Sequence, residues 1–190
     1  MGKIIISENV SLDGIADDPM GDEGSGHGHW TSFISDQDRD AWFQAIHEES
    51  LAAEALLIGR RSDDWFARRW LTRTGERAER LNGMPKYVVS STLEEPKWSN
   101  TTVLSGDVVA GVSKLKEELA GDIVVYGSIQ LAHAVLELGL ADEVRLFVHP
   151  VVLGSGQRLF TETAGMRPLR LVRNRTLGEA LVQLTYEYAA

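Results

Sequence analysis

The chain has 190 residues, 43% of them hydrophobic, with no cysteine and a formal net charge of −9. Such a length supports one well-buried core, so a single domain over 1–190 is expected. The lack of cysteine excludes disulfides, thiolate metal centres and cysteine nucleophiles, leaving oxygen, nitrogen or a borrowed cofactor to do the chemistry. The carboxylate excess keeps a surface solvated and opposes a general nucleic-acid role, which needs Lys and Arg to neutralise phosphates. No apolar run reaches the roughly 18 residues of a membrane span. Met1-Gly2-Lys3-Ile4 passes straight into a strand without a small-residue cleavage site, so a soluble, cytoplasmic protein with no membrane partner is expected.

Runs rich in Val, Ile and Leu alternate with helical or polar intervals, the pattern of an α/β domain with a largely parallel sheet. Strands are expected near Lys3 to Val10, Ala55 to Ile58, Lys86 to Ser90, Thr101 to Leu104, Ile123 to Tyr126, Val144 to His149, Leu169 to Thr176 and Ala180 to Tyr188. Asp38 to Glu54 carries Trp42, Ile46 and Ala53 on one helical face. Ser62 with Asp63 and Asp64 makes a helix start for Trp65 to Trp70. Val108 to Leu119 and Ser128 to Leu138 have apolar stripes through Val112, Leu115 and Leu119, and through Leu131, Val135 and Leu138. Leu177-Gly178 reads as a tight turn joining the last two strands into an antiparallel hairpin. Two irregular stretches remain. Asp17 to Thr31 holds four glycines and His27-Gly28-His29, and is expected to be a mobile flap over a site. Thr72 to Pro85 is a polar segment rich in Arg and Glu.

Strand Ile123 to Tyr126 breaks at Gly127-Ser128 and opens directly into a helix. That order aims free backbone N–H groups and the positive end of the helix dipole at one point, where a dinucleotide's pyrophosphate can sit. Gly59-Arg60-Arg61-Ser62 is a second such junction, with guanidinium forks suited to phosphate oxygens, although Arg60 and Arg61 could equally pair with Asp63 and Asp64 on the surface. Ser90-Ser91 ends a third strand, where hydroxyls can meet a ribose or phosphate or can merely cap a turn. All three junctions fall at carboxyl ends of expected parallel strands, the edge at which such sheets bind ligands. Neither G-x-G-x-x-G after the first strand nor G-x-x-x-x-G-K-[ST] is present, which argues against the usual Rossmann dehydrogenase and the P-loop nucleotidase.

The ordered set Val10-Ser11-Leu12-Asp13-Gly14, Leu57-Ile58-Gly59-Arg60, Val88-Val89-Ser90-Ser91, Val125-Tyr126-Gly127-Ser128 to Leu131, Ala141-Asp142-Glu143 and Pro150 to Phe160 carries a resemblance spanning nearly the whole chain. It resembles the reductase domain of the bifunctional deaminase-reductase of riboflavin biosynthesis, within the dihydrofolate reductase-like superfamily. The deaminase half, with its zinc-binding pattern of His and Cys, is absent from this sequence. The resemblance implies a three-layer α/β fold: a mostly parallel sheet of about eight strands with flanking helices, an antiparallel C-terminal hairpin and NADPH across the strand ends. Carried over by position, Gly59, Arg60, Arg61 and Ser62 would contact the cofactor's phosphates, Ser90 and Ser91 its 2′-phosphate end, and Gly127, Ser128, Ile129 and Gln130 its pyrophosphate. Val10 to Ala16 would lie beside the nicotinamide, and Asp13 would border the substrate. A homodimer paired through the sheet-end elements is implied as well, and the apolar hairpin from Leu169 to Tyr188 would otherwise expose a sheet edge.

Hydride transfer asks the protein to hold the nicotinamide against the acceptor, exclude water and supply a proton where charge develops. Asp13 and Asp17 are the candidate catalytic carboxylates, with Glu162 a weaker one, and the Asp-Asp-Pro context of Asp17 is ordinarily a turn. Trp30 could stack on a planar substrate ring or staple the flap to the core. His27 and His29 near Asp22 and Glu23 raise a metal site, but two histidines in a glycine-rich loop do not preorganise one, and no metal is expected. His149 reads as a satisfied strand histidine. Arg68, Arg69, Arg73 and Arg77 could receive the phosphate of a ribose-phosphate substrate. The leading expectation is an NADPH-dependent reductase of a small heterocyclic or ribose-derived substrate. The alternatives are a dihydrofolate reductase, for which the helix from Asp38 to Glu54 lacks a carboxylate in the expected context, and a nucleotide-binding dimer module without turnover.

Overall fold

A computed structural model describes residues 1–161 and 166–188. The strands are β1 (Lys3–Ser11), β2 (Ala53–Gly59), β3 (Lys86–Val89), β4 (Thr101–Leu104), β5 (Asp122–Tyr126), β6 (Glu143–His149), β7 (Leu169–Leu177) and β8 (Leu181–Tyr188). The helices are α1 (Asp36–Ala52), α2 (Arg60–Trp70), α3 (Glu76–Gly83), α4 (Val108–Glu118) and α5 (Ile129–Glu137). One eight-stranded sheet runs in the order β4-β3-β2-β5-β1-β6-β8-β7. Strands β2, β3, β4 and β5 pair in parallel, whereas β6, β8 and β7 form the expected antiparallel end. Among the described residues no helix is long and apolar enough to cross a membrane. The chain divides into two compact units, the first comprising Met1–Ile6 and His47–Asp142, the second Ser7–Ile46 and Glu143–Ala190.

In the first unit, Leu56, Ile58, Val88 and Val124 of the parallel strands pack with Ala67, Trp70, Leu81, Met84 and Trp98. Strands buried on both faces explain the unbroken apolar runs of β2 and β5. Two sequence expectations change here. Ala53 opens β2 rather than belonging to the preceding helix. The stretch from Thr72 to Pro85 is not a loop throughout, because Glu76–Gly83 forms α3 with Ala78 and Leu81 buried. Its carbonyl end is closed by Lys86, whose buried Nζ donates to the carbonyls of Leu81, Asn82 and Met84 at 2.8, 3.2 and 2.6 Å and lies 4.5 Å from the Trp98 ring centre. Burial pushes the Lys86 pKa down to about 8, which leaves it cationic at neutral pH.

In the second unit, α1 begins with a capping box. Ser35 Oγ accepts from Asp38 N at 3.1 Å and Asp38 Oδ2 accepts from Ser35 N at 3.3 Å. The other oxygen of Asp38 accepts from Glu179 N and Ala180 N at 2.5 and 3.1 Å, tying α1 to the three-residue turn between β7 and β8. Gly178 in that turn has φ +66°, and a Cβ there would overlap Asp38. Trp42 and Ala45 of α1 pack on Phe147, Leu177 and Leu181. His149, fully buried, meets Trp30 and Trp42 edge-on, with ring centres 5.4 and 5.0 Å away. Its Nε2 lies 3.2 Å from Asn9 Oδ1 while Nδ1 has no hydrogen-bond partner, so this histidine is only half satisfied, and burial pushes its pKa down to about 4. The outermost strand, β7, is exposed from Arg170 to Asn174 and carries a register shift between Leu171 and Arg173.

Candidate cofactor-binding site

Parallel pairing sets Gly59 opposite Val89, Val89 opposite Leu104, and Leu56 opposite Val124. The breaks at Gly59, Ser90 and Gly127 therefore share one edge of the sheet. The chain leaving β2 goes through α2 and α3 to β3, while the chain leaving β5 goes through α5 in the opposite direction along the sheet order. Diverging connections from neighbouring parallel strands make a topological switch point, where open α/β sheets bind ligands.

Both helix starts at this point are open. Neither Gly59 before α2 nor Ser128 before α5 caps its helix with a side chain, whereas Asp107 caps α4 by accepting from Val109 N and Ala110 N at 2.8 and 3.3 Å. Gly127 and Ser128 both have positive φ, +57° and +63°, and this pair of left-handed residues turns β5 abruptly into α5. Ser128 Oγ accepts from Gly59 N at 2.9 Å and lies 2.6 Å from Ser62 Oγ, so one hydroxyl joins the two openings. Gly59 has φ −88°, ordinary for any residue, and a Cβ there would meet only Ser128 at 3.5 Å. The fold itself does not demand a glycine at 59, and the lack of a side chain leaves the backbone there open to a group approaching from outside.

Ser62 is not a helix cap as its sequence context suggests, because α2 begins at Arg60 and places it inside the first turn. The pairing of Arg60 and Arg61 with Asp63 and Asp64 is also absent. Asp63 is buried and accepts from Lys97 N and Trp98 N at 2.7 and 3.1 Å, and Asp64 is held by Lys97 and Arg68. Arg60 and Arg61 stay exposed beside the opening. Ser90 Oγ accepts from Thr92 N and Leu93 N at 3.3 and 3.1 Å, the turn-capping role, and Ser91 is exposed. Ile129 and Gln130 form the first turn of α5.

The candidates of the second unit separate clearly. Asp13 accepts from Ser11 Oγ at 2.6 Å, Gly154 N at 2.8 Å and Leu153 N at 3.1 Å, which hold its pKa down at about 2. An ionised carboxylate with its oxygens so engaged holds the 150–156 turn. Asp17 differs: its Oδ1 is buried without a hydrogen-bond partner. Trp30 is fully buried, its Nε1 donating to the Asp17 carbonyl at 3.0 Å, and this burial fits the staple and not the stacking platform. The segment around it is drawn in by Asp18, whose carboxylate accepts from Glu23 N and Ser25 N, both at 2.9 Å. Burial raises the Asp18 pKa, but the amides of Ser25 and Glu23 outweigh it and the net direction is down. The carboxylates of Asp18, Asp22 and Glu23 lie within 4.8 Å of one another, and His27 and His29 are not part of that group. Glu162 lies outside the described residues.

Sequence reasoning did not find the Ser62 and Ser128 contact or the buried clamp of Asp63, since both join residues more than thirty positions apart. It named Arg69, Arg73 and Arg77 without their arrangement. Arg73 and Arg77 each lie 5.1 Å from the centre of the Trp70 ring and Arg69 lies 4.9 Å from that of Trp65. Burial, with Arg73 and Arg69 nearby, lowers the Arg77 pKa, partly offset by Tyr126 at the end of β5.

Among known proteins, the chain is 31% identical over 140 residues to the uncharacterized protein YyaP of Bacillus subtilis (strain 168), covering 71% of this chain and 74% of that one. Its fold is similar to that of a candidate riboflavin biosynthesis protein of Shewanella sp. PV-4, with a TM-score of 0.75, 21% identity and 99% of each chain covered. It is also similar to the diaminohydroxyphosphoribosylaminopyrimidine deaminase/5-amino-6-(5-phosphoribosylamino)uracil reductase of Thermotoga maritima, with a TM-score of 0.66 and 15% identity. That match covers 99% of this chain but 57% of the Thermotoga protein. These likenesses agree with a match to the RibD C-terminal domain over residues 2–183, and the chain belongs to that family.

Proposed function

We propose that the protein is an NADPH-dependent reductase similar to 5-amino-6-(5-phosphoribosylamino)uracil reductase, acting in the cytoplasm on a small heterocyclic or ribose-derived substrate. The observation that carries this reading is the pair of uncapped helix starts at Gly59 and Gly127, joined through Ser128 at a topological switch point. In it, the amides from Arg60 to Ser62 and from Ile129 onward hold the phosphates, Gly59 lets them approach the backbone, and Arg60 and Arg61 add charge-assisted hydrogen bonds. Ser91 serves the 2′-phosphate end, while Ser90 shapes its turn. NADPH, when bound, supplies the hydride. The exposed Arg73, with Arg69 and Arg77, suits an anionic group on the substrate such as a ribose phosphate. With Asp13 ionised, Asp17 is the carboxylate left to carry a proton to the reduced centre. A homodimer belongs to the same reading. The β6 and β8 face bearing Leu146, Val148, Val182, Leu184 and Tyr186 suits it, since opposite partners in register share one face and all of these are uncharged.

Thermal denaturation and nicotinamide fluorescence with added NADPH test the reading. Stabilisation is expected, and its absence at concentrations well above micromolar together with stabilisation by other nucleotides would refute a reductase. Arg60→Ala should weaken NADPH by about 1 to 3 kcal/mol and NADH by less. Equal losses remove Arg60 from the 2′-phosphate. Turnover assays with dihydrofolate and with the phosphoribosylaminouracil then separate the two reductases, and binding without turnover of either marks a module of the third kind.

A further inference from the structure

Ser128 holds an unfavourable backbone conformation, φ +63° and ψ +50°, yet does not use its hydroxyl to cap the helix it begins. The hydroxyl is spent sideways on Gly59 N and Ser62 Oγ, at 2.9 and 2.6 Å. The amide and the two hydroxyls bring three hydrogens to two bonds, so whichever way the hydroxyl pair is polarised one hydrogen remains to donate. Ser62 and Ser128 are both half-buried at the open ends of α2 and α5, and the vacant side of Gly127 lies against Ser62, where a Cβ would come 3.6 Å from its Oγ.

We propose that Ser128 is a positioning residue: it braces the two helix starts at a fixed spacing and, through Ser62, directs the remaining hydroxyl hydrogen to a phosphate oxygen of the bound ligand. This rests on the cofactor reading above and adds to it a division of labour, with Ser62 touching the phosphate and Ser128 acting through Ser62 and Gly59. The left-handed strain at Ser128 persists because glycine, which would relieve it, could not provide the brace. Folding and binding therefore pull in opposite directions at this one position.

Three variants and three readouts test this. In the ligand-free protein, Ser128→Gly is expected to melt no lower than the parent while the Gly59 amide exchanges with solvent at least about tenfold faster, having lost its acceptor. The same variant should bind NADPH about fivefold more weakly, the equivalent of one neutral hydrogen bond. Ser128→Ala keeps the strain and loses the brace, so it should melt lower and bind as weakly as Ser128→Gly. Ser62→Ala should keep Gly59 protected and still lose about fivefold in NADPH affinity. Unchanged NADPH binding in Ser128→Gly, or a Gly59 amide as protected as in the parent, overturns the brace and leaves the cofactor reading intact. A parent protein that NADPH does not stabilise overturns both.

Discussion

His149 should make the protein acid-sensitive well above the range in which its carboxylates titrate. The imidazole is fully buried between Trp30 and Trp42, and burial lowers its pKa from 6.5 to about 4. A histidine with a depressed folded pKa contributes stability that is whole above 6.5 and is lost as the pH falls towards 4, because only the unfolded chain takes up the proton in that window. At pH 5 the unfolded imidazole lies a pH unit and a half below its pKa while the folded one is still mostly neutral. At about 1.36 kcal/mol per unit, this penalises the folded state by about 2 kcal/mol relative to neutral pH. Urea denaturation of the parent and of His149→Phe at pH 7 and pH 5 measures it. The parent should lose about 2 kcal/mol more than the variant between the two, since every other residue is common to both proteins. Parallel losses, or an NMR titration of His149 above pH 6 in the folded protein, would refute the reasoning.

Three further outcomes are expected. Gly178→Ala should destabilise by at least about 2 kcal/mol, since φ +66° penalises a side chain and its Cβ would overlap Asp38, and a chemical denaturation midpoint reads this directly. Asp63→Ala should cost about 2 kcal/mol by stranding the buried amide of Trp98 and the part-buried amide of Lys97, with faster exchange of those two amides as its signature. Gly59→Ala should leave the melting temperature unchanged or slightly raised, because its φ of −88° and open Cβ position tolerate alanine, while NADPH titration shows weakened binding.

The strands were legible because burial on one or both faces writes itself into the chain as runs of Val, Ile and Leu, and the observed strand ends fall within about two residues of the expected ones. The strand-to-helix breaks at Gly59 and Gly127 were legible for the same reason, an apolar run stopping at glycine. Helix α3 was not, because half of its eight residues are charged and its carbonyl end is closed by Lys86 of the following strand. The grip of Asp13 on Leu153 and Gly154 was not legible because it spans some 140 residues of chain. Asp63 stood in a helix-start pattern, and only the fold turns its carboxylate onto the 97–98 backbone. Trp30 could have served either side of its loop, and its burial is decided by His149 and the Asp17 carbonyl.

Strand β7 ends the sheet with open hydrogen-bonding groups, the arrangement from which runaway β-addition starts. Its own residues oppose this. Two copies laid edge to edge in antiparallel fashion would crowd Arg170, Arg173 and Arg175 of one against those of the other, and the irregular pairing near Val172 breaks the flat template that a new strand would need. Replacing these arginines with Thr or Val would leave an uncharged nine-residue border with five β-branched residues, and such a variant should form fibrillar aggregates at concentrations where the parent stays dispersed.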